Sequence, residues 1–248
     1  MRTYFVRAGV LTMLVSCAAI LAMAADKIPA AGGDIEITPI THASVQVEHA
    51  GKVIHVDPWR QGDYSKARQA DLILITAVQE EHHFDVEAIR KIRKAGAPVL
   101  VPKDAQDQLP DATPIANGET RTVAGIRVEA APAYDLKPGE PFHPKGRDNG
   151  YVVTLGGKRL YFAGVTECTP EMQALKNIDV AFLPMNSPNQ RNTPSAVADC
   201  VKIFKPKVVY PYHYRSGTRG GNVEPFRDAL KGEPIEVRLA EWYPAAAR

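Results

Sequence analysis

Residues 71–85 read DLILITAVQEEHHFD, and the stretch 86–94 that follows reads VEAIRKIRK. The apolar run Asp71–Ile75 has the length and content of a strand covered on both faces. The continuation has helical spacing and runs toward Gly96, a residue suited to ending a helix. Between them, where a strand hands over to a helix, stand Glu80, Glu81, His82 and His83. Strand-to-helix loops are a usual place for chemistry in layered α/β proteins, so the fold and the function both turn on this segment.

Outward from it, DIEITPI (34–40), SVQVEHA (44–50) and KVIHVDP (52–58) read as successive strands, with Ala50-Gly51 as a tight turn. PVLVP (98–102) is a further short strand and KDAQDQL (103–109) a short helix. A second β-rich stretch contains ETRTVAG, IRVEAAPA and GYVVTLGGKRLYFAG, the last folded at Gly156-Gly157. TPEMQALK and TPSAVADCVKIFK each carry a threonine N-cap followed by proline at the first helical position. IDVAFLP and KVVYPYHY are strands, EPFRDAL a helix and IEVRLAEW a closing strand. No repeat of residue identity is visible, and LKPGEPFHPKGRDNG (136–150) reads as a long loop rather than a domain boundary. The order of β-rich and β-α stretches, given twice, predicts an α/β (α+β) architecture: an αββα sandwich of two mixed sheets flanked by helices.

The 248 residues are 45% hydrophobic and 23% charged, enough chain for a sizeable core. Arg2 and Arg7, the apolar Gly9–Leu21 and the small-x-small Ala22-Met23-Ala24 predict a signal peptide over 1–24. LVSC (14–17) also resembles a lipoprotein cleavage motif, but the apolar stretch continues past Cys17. Residues 25–248 are expected to be one domain, exported and periplasmic. Of 30 Lys+Arg and 28 Asp+Glu, the leader removes only Arg2 and Arg7, so the mature chain is neutral. That argues against a nucleic-acid partner or an anionic membrane surface and for a small-molecule substrate. The oligomeric state is left open. Cys168 and Cys200 remain after the leader. An exported chain permits a disulfide, and a buried free Cys200 is an equal alternative.

Four landmarks fall in one order: DLILIT…HFD, ITHASVQVEHAGKVIHVDPW, GKRLYFAGVTE and KPKVVYPYHY. Together they resemble the metallo-β-lactamase superfamily, in its ascorbate-6-phosphate lactonase-like branch, over roughly Asp34 to Trp242. The family's strand ends in Thr-His-x-His-x-Asp-His. Anchored on Thr76, those ligand positions are Ala77, Gln79, Glu81 and His82; anchored on Asp85 they are Val78, Glu80, His82 and His83. Either frame lacks the first histidine, and Val165 stands where the family has a metal-bridging aspartate. The resemblance therefore implies at most one zinc ion, with ligands drawn from Glu81, His82, His83, His143 and His213. His42, Asp57 and Asp85 are expected to support the metal loop by hydrogen bonds. Tyr134, Asn186 and Tyr214 are expected to line a substrate cleft. His49 and His55 are expected to be structural. Two functions are left open: a divergent hydrolase activating water against an ester, lactone or amide, and a catalytically inactive binding module of the same fold. The leader is tested by the intact mass of protein from its native host, which should begin at Ala25; a retained leader or a lipid-modified Cys17 contradicts it.

Overall fold

Leu72 and Leu74 face one side of their strand and Ile73 and Ile75 the other, and all four are fully buried. A strand apolar on both faces needs two covers. The computed structural model, which describes residues 25–105, 107–136, 142–185, 192–214 and 223–243, supplies both. One cover is a second sheet and the other a helix layer.

The first sheet takes its strands in chain order: β1 (Asp26–Ile28), β2 (Ile35–Thr41), β3 (Ser44–His49), β4 (Lys52–Val56), β5 (Leu72–Leu74), β6 (Val99–Val101) and β7 (Thr113–Pro114). β1 to β4 pair antiparallel and β4 to β7 parallel. The second sheet repeats the plan with β8 (Thr120–Val123), β9 (Ile126–Ala133), β10 (Asp148–Leu155), β11 (Lys158–Phe162), β12 (Val180–Pro184), β13 (Val208–Tyr212) and β14 (Glu236–Val237). There too a four-strand antiparallel meander is followed by parallel pairing. The repeat invisible in residue identity is thus present in topology. Helix α1 (Val86–Ile92) packs outside the first sheet. α2 (Pro170–Gln173), α3 (Pro194–Phe204) and α4 (Val223–Ala229) pack outside the second. The two mixed sheets with flanking helices are the expected αββα sandwich.

Between the sheets, Val45, Val47, Leu72 and Leu74 meet Tyr151, Val153, Phe162 and Phe182. Register aligns Phe162, Phe182 and Tyr210 across three parallel strands, and their rings stack at 4.7 and 4.9 Å. Trp242 closes this core, its indole N–H donating to the Pro211 carbonyl at 2.8 Å.

Four local expectations are corrected. α1 stops at Ile92 rather than running to Gly96, because Ala70 N–H donates to the Ile92 carbonyl and Lys94 N–H to the Ala70 carbonyl, drawing Arg93 into a bridge. Among the described residues of KDAQDQL, only Lys103–Ala105 is helical, as a 3₁₀ turn. IEVRLAEW pairs only at Glu236–Val237. The strand β1, Asp26–Ile28, precedes the first strand expected from the sequence, at 34–40. The leader and Asn186 lie outside the described residues.

Cys168 and Cys200 form a disulfide with Cα atoms 5.7 Å apart, tying the segment before α2 to α3. It spans 32 residues, for which loop-closure entropy gives about 3–4 kcal/mol of stabilisation. A chain lacking residues 1–24, and with them Cys17, should therefore show no free thiol until reduced, and urea unfolding with and without reductant should differ by about that amount. A reactive thiol in the native, unreduced chain contradicts the pairing.

Candidate metal centre

The site forms where four chain segments leave their strands. Asp57 follows β4 and Thr76 follows β5; these strands are parallel neighbours, so the two residues meet. His42 follows β2 and His213 follows β13. His42, Asp57 and His213 all have positive φ, of 52°, 44° and 55°. Histidine and aspartate are among the residue types that tolerate this region, and the conformation turns each chain sharply where its strand ends.

Asp57 is fully buried. Its Oδ1 accepts from Thr76 N–H at 2.7 Å, and its Oδ2 from Thr76 Oγ1 at 2.5 Å. The same Oδ2 lies 2.7 Å from His83 Nδ1. A carboxylate only accepts, so His83 carries its proton on Nδ1 and turns the Nε2 lone pair outward. That lone pair faces His213 Nε2 at 3.0 Å, and His82 Nε2 stands 3.2 Å from the same atom. Glu80 Oε2 is 3.2 Å from His82 Nε2 and 3.9 Å from His83 Nε2. One ligand atom from each of Glu80, His82, His83 and His213 lies within 4.8 Å of the others.

These residues fit a metal ion. The donor set, three imidazole nitrogens and one carboxylate oxygen, is one that zinc accepts. A tetrahedral ion bonded at about 2.0 Å holds its ligand atoms about 3.3 Å apart, close to the spacings here. Protonation states agree as well, since binding needs neutral imidazole and anionic carboxylate. Burial, reinforced by His42, His83, His82 and His143, pushes His213 well below the usual histidine range. Burial also takes His42 down to about 3, with His82 and His83 adding to it. For Glu80 burial acts to raise the pKa, but the hydrogen bond to His82 and the fields of His82, His83 and His143 outweigh it and hold the carboxyl at about 2.

Of the ligands expected from sequence, His82, His83 and His213 come together. Glu81 does not join them: it is exposed and paired with Arg60, and Glu80 takes the carboxylate's place. The arrangement follows the frame anchored on Asp85, with Ala77 buried behind the loop. The reason is local. Asp85 caps α1 through Glu87 and Ala88 N–H and also binds Arg60 N–H and Nε, which fixes the loop from its helix end. His143 stands apart from the four, its Nδ1 2.7 Å from Asp148 Oδ2. Tyr134 directs its hydroxyl to Glu171 rather than to the cluster. Tyr214 packs on Tyr243, with ring centroids 5.3 Å apart. His55 bonds the Arg68 carbonyl, as a structural histidine does. Val165 is buried and offers no donor. Two neighbours were missed. Trp59 stands 5.8 Å from the His82 ring, and Tyr243 bonds His42 Nδ1. The tryptophan sits directly after Asp57-Pro58, a signal that was available; the C-terminal tyrosine gave none.

Asp57→Asn places an amide N–H against Thr76 Oγ1 and His83 Nδ1. The variant should lose about 1–3 kcal/mol of stability and roughly 10–100-fold in zinc affinity, read by urea unfolding and by chelator-competition titration. Unchanged affinity would show that His83 does not depend on Asp57.

A family profile described as a beta-lactamase superfamily domain matches residues 36–213. A protein of Thermococcus onnurineus described as a metal-dependent hydrolase is 28% identical over 196 residues, covering 73% of this chain and 85% of the relative. A Thermus thermophilus protein of the same description is 28% identical over 192 residues, covering 73% and 84%. The solved structure of a protein from Parabacteroides distasonis, also described as a metal-dependent hydrolase, matches with a TM-score of 0.80 at 38% identity, over 88% of this chain and 99% of that one. A metallo hydrolase of Ignicoccus hospitalis shares the fold, with a TM-score of 0.67 at 24% identity over 83% and 94% of the two chains. With the profile spanning both sheets and the loops that carry the four converging donors, the chain belongs to the metallo-β-lactamase superfamily.

Proposed function

We propose that this protein is a hydrolase that uses one divalent ion, with zinc the best match to its donors, against an ester, lactone or amide bond of a small molecule. The observation that carries the reading is the convergence of Glu80, His82, His83 and His213 within 4.8 Å. The relatives described as metal-dependent hydrolases support it. When bound, such an ion lowers the pKa of a water and polarises a carbonyl. His83, oriented by Asp57, and His213 hold the inner side of the site. His82 and Glu80 hold the outer side, where 22% and 28% of their side chains are exposed. Glu80 is the donor placed to yield to water, which keeps the open position that catalytic zinc requires. A second ion lacks donors, because Val165 and Val78 offer none.

A second reading has its own observation. Four protein donors complete a tetrahedron, as structural zinc sites do. If Glu80 keeps its place, the protein is a binding module without turnover. Localisation is proposed as periplasmic. The disulfide supports an oxidising compartment.

After dialysis against a mild chelator and reloading, elemental analysis should find at most one zinc per chain. His213→Ala should weaken zinc binding by more than the roughly 10–100-fold that loss of a supporting hydrogen bond costs. Hydrolysis of a panel of simple esters, lactones and amides should appear with zinc and vanish with chelator. Bound zinc without turnover on the panel favours the binding module; two tightly held ions, or none, contradict the ligand set.

A further inference from the structure

A histidine that binds metal through one nitrogen almost always donates its other N–H to a carboxylate, a carbonyl or water. His83 does so, to Asp57. His213 does not: among the described residues its buried Nδ1 has no hydrogen-bond partner. Its ring is held instead by packing. His42 lies against one side, with ring centroids 4.1 Å apart, and His83 stacks at 4.9 Å. His213 N–H also donates to the His42 carbonyl at 3.1 Å. His42 additionally meets the edge of His82 at 4.7 Å, so one ring braces two of the four donors.

Two groups hold His42: the Tyr243 hydroxyl, 201 positions away in sequence, and the backbone of Tyr214. The Tyr243 hydroxyl donates its only proton to the Tyr214 carbonyl. It must therefore accept from His42 Nδ1–H. That fixes the His42 tautomer and ring angle and ties the loop after β2 to the loop after β13. Trp242, buried beside it and bonded to Pro211, anchors the segment that presents the hydroxyl.

We infer that Tyr243 is a positioning residue for the metal centre: through His42 it supplies the orientation that His213 lacks from a hydrogen bond of its own. The inference rests on the proposed metal reading. It makes the C-terminal segment part of the site although that segment carries no ligand.

The test uses the full mature chain. Zinc affinity is measured by chelator competition in the parent and in the Tyr243→Phe, His42→Phe, double and Phe204→Leu variants. Tyr243→Phe keeps the ring and removes the hydroxyl. It should weaken zinc binding about tenfold, the low end for a lost outer hydrogen bond. In the His42→Phe background the same change should add less than about twofold, since the two residues act in series. Phe204→Leu, in the core between α3 and the second sheet, should lower thermal stability while leaving affinity within about twofold of the parent. Long-range proton–nitrogen NMR on the zinc-free parent should find the His42 proton on Nδ1, and Tyr243→Phe should change that signature. An unchanged affinity in Tyr243→Phe overturns the inference. So does an equal loss in the His42→Phe background, an equal loss in Phe204→Leu, or a parent His42 protonated on Nε2. A parent that binds no zinc overturns the metal reading and this inference with it; a parent that binds zinc beside an indifferent Tyr243→Phe overturns this inference alone.

Discussion

The buried carboxylate of Asp57 is the point from which the rest of the site is built. It accepts from the backbone and side chain of Thr76 and from His83, so one group fixes the exit of β5, the path of the loop behind it and the tautomer of an inner donor. A buried charge is tolerable only when it is so fully bonded. The same segment is clamped from the opposite sheet. Asn149 N–H donates to the Thr76 carbonyl at 2.9 Å and the Tyr151 hydroxyl to the Ile75 carbonyl at 2.8 Å. A side chain at Gly164 would come within 2.9 Å of Thr76 Cβ and 3.0 Å of the Asn149 carbonyl, and its φ of +68° already favours glycine. The glycine is therefore required for the sheets to approach this closely.

The ligands come from both halves of the repeated topology. Glu80, His82 and His83 leave the first sheet and His213 the second, so the cluster exists only when the sheets are packed. The aromatic ladder of Phe162, Phe182 and Tyr210 supplies part of that packing. Its neighbour Tyr212 stands immediately before His213, with its hydroxyl accepting from Gly164 N–H at 2.9 Å. Packing of the inter-sheet core and placement of the site are thus one event, and a core substitution in β13 acts on the donor set through the same residues.

The centre departs from its family by subtraction and replacement. Val165 and Val78 offer no donor, and the loop between Thr76 and Asp85 brings Glu80 and His82 to the opening while His83 stays buried. A single ion with three nitrogens and one oxygen is what the remaining chemistry accommodates. The inner donors are buried and held by Asp57 and by stacked rings, while Glu80 and His82 face the outside. That asymmetry is where a substrate or a water would enter.

Much of this was legible in the sequence because it is local. The unbroken apolar run in DLILI predicts a doubly covered strand, Thr-Pro pairs predict helix starts, and the ordered landmarks point to the fold and to His82, His83 and His213. The choice between Glu80 and Glu81 was not legible. Adjacent residues in a loop differ only in direction, and Arg60 and Asp85, distant in sequence, set that direction. The pairing of Cys168 with Cys200 depends on how α3 docks near the start of α2, which no spacing encodes. Tyr243 acts across 201 positions, and a hydrogen bond of that reach exists only once the chain has closed. The sequence by itself determined which elements form and which donor types are present, because propensity, capping and burial pattern act over a few residues. Tertiary structure alone decided which donors face one another, because that depends on the relative placement of strands whose sequence separation carries no record of their distance in space.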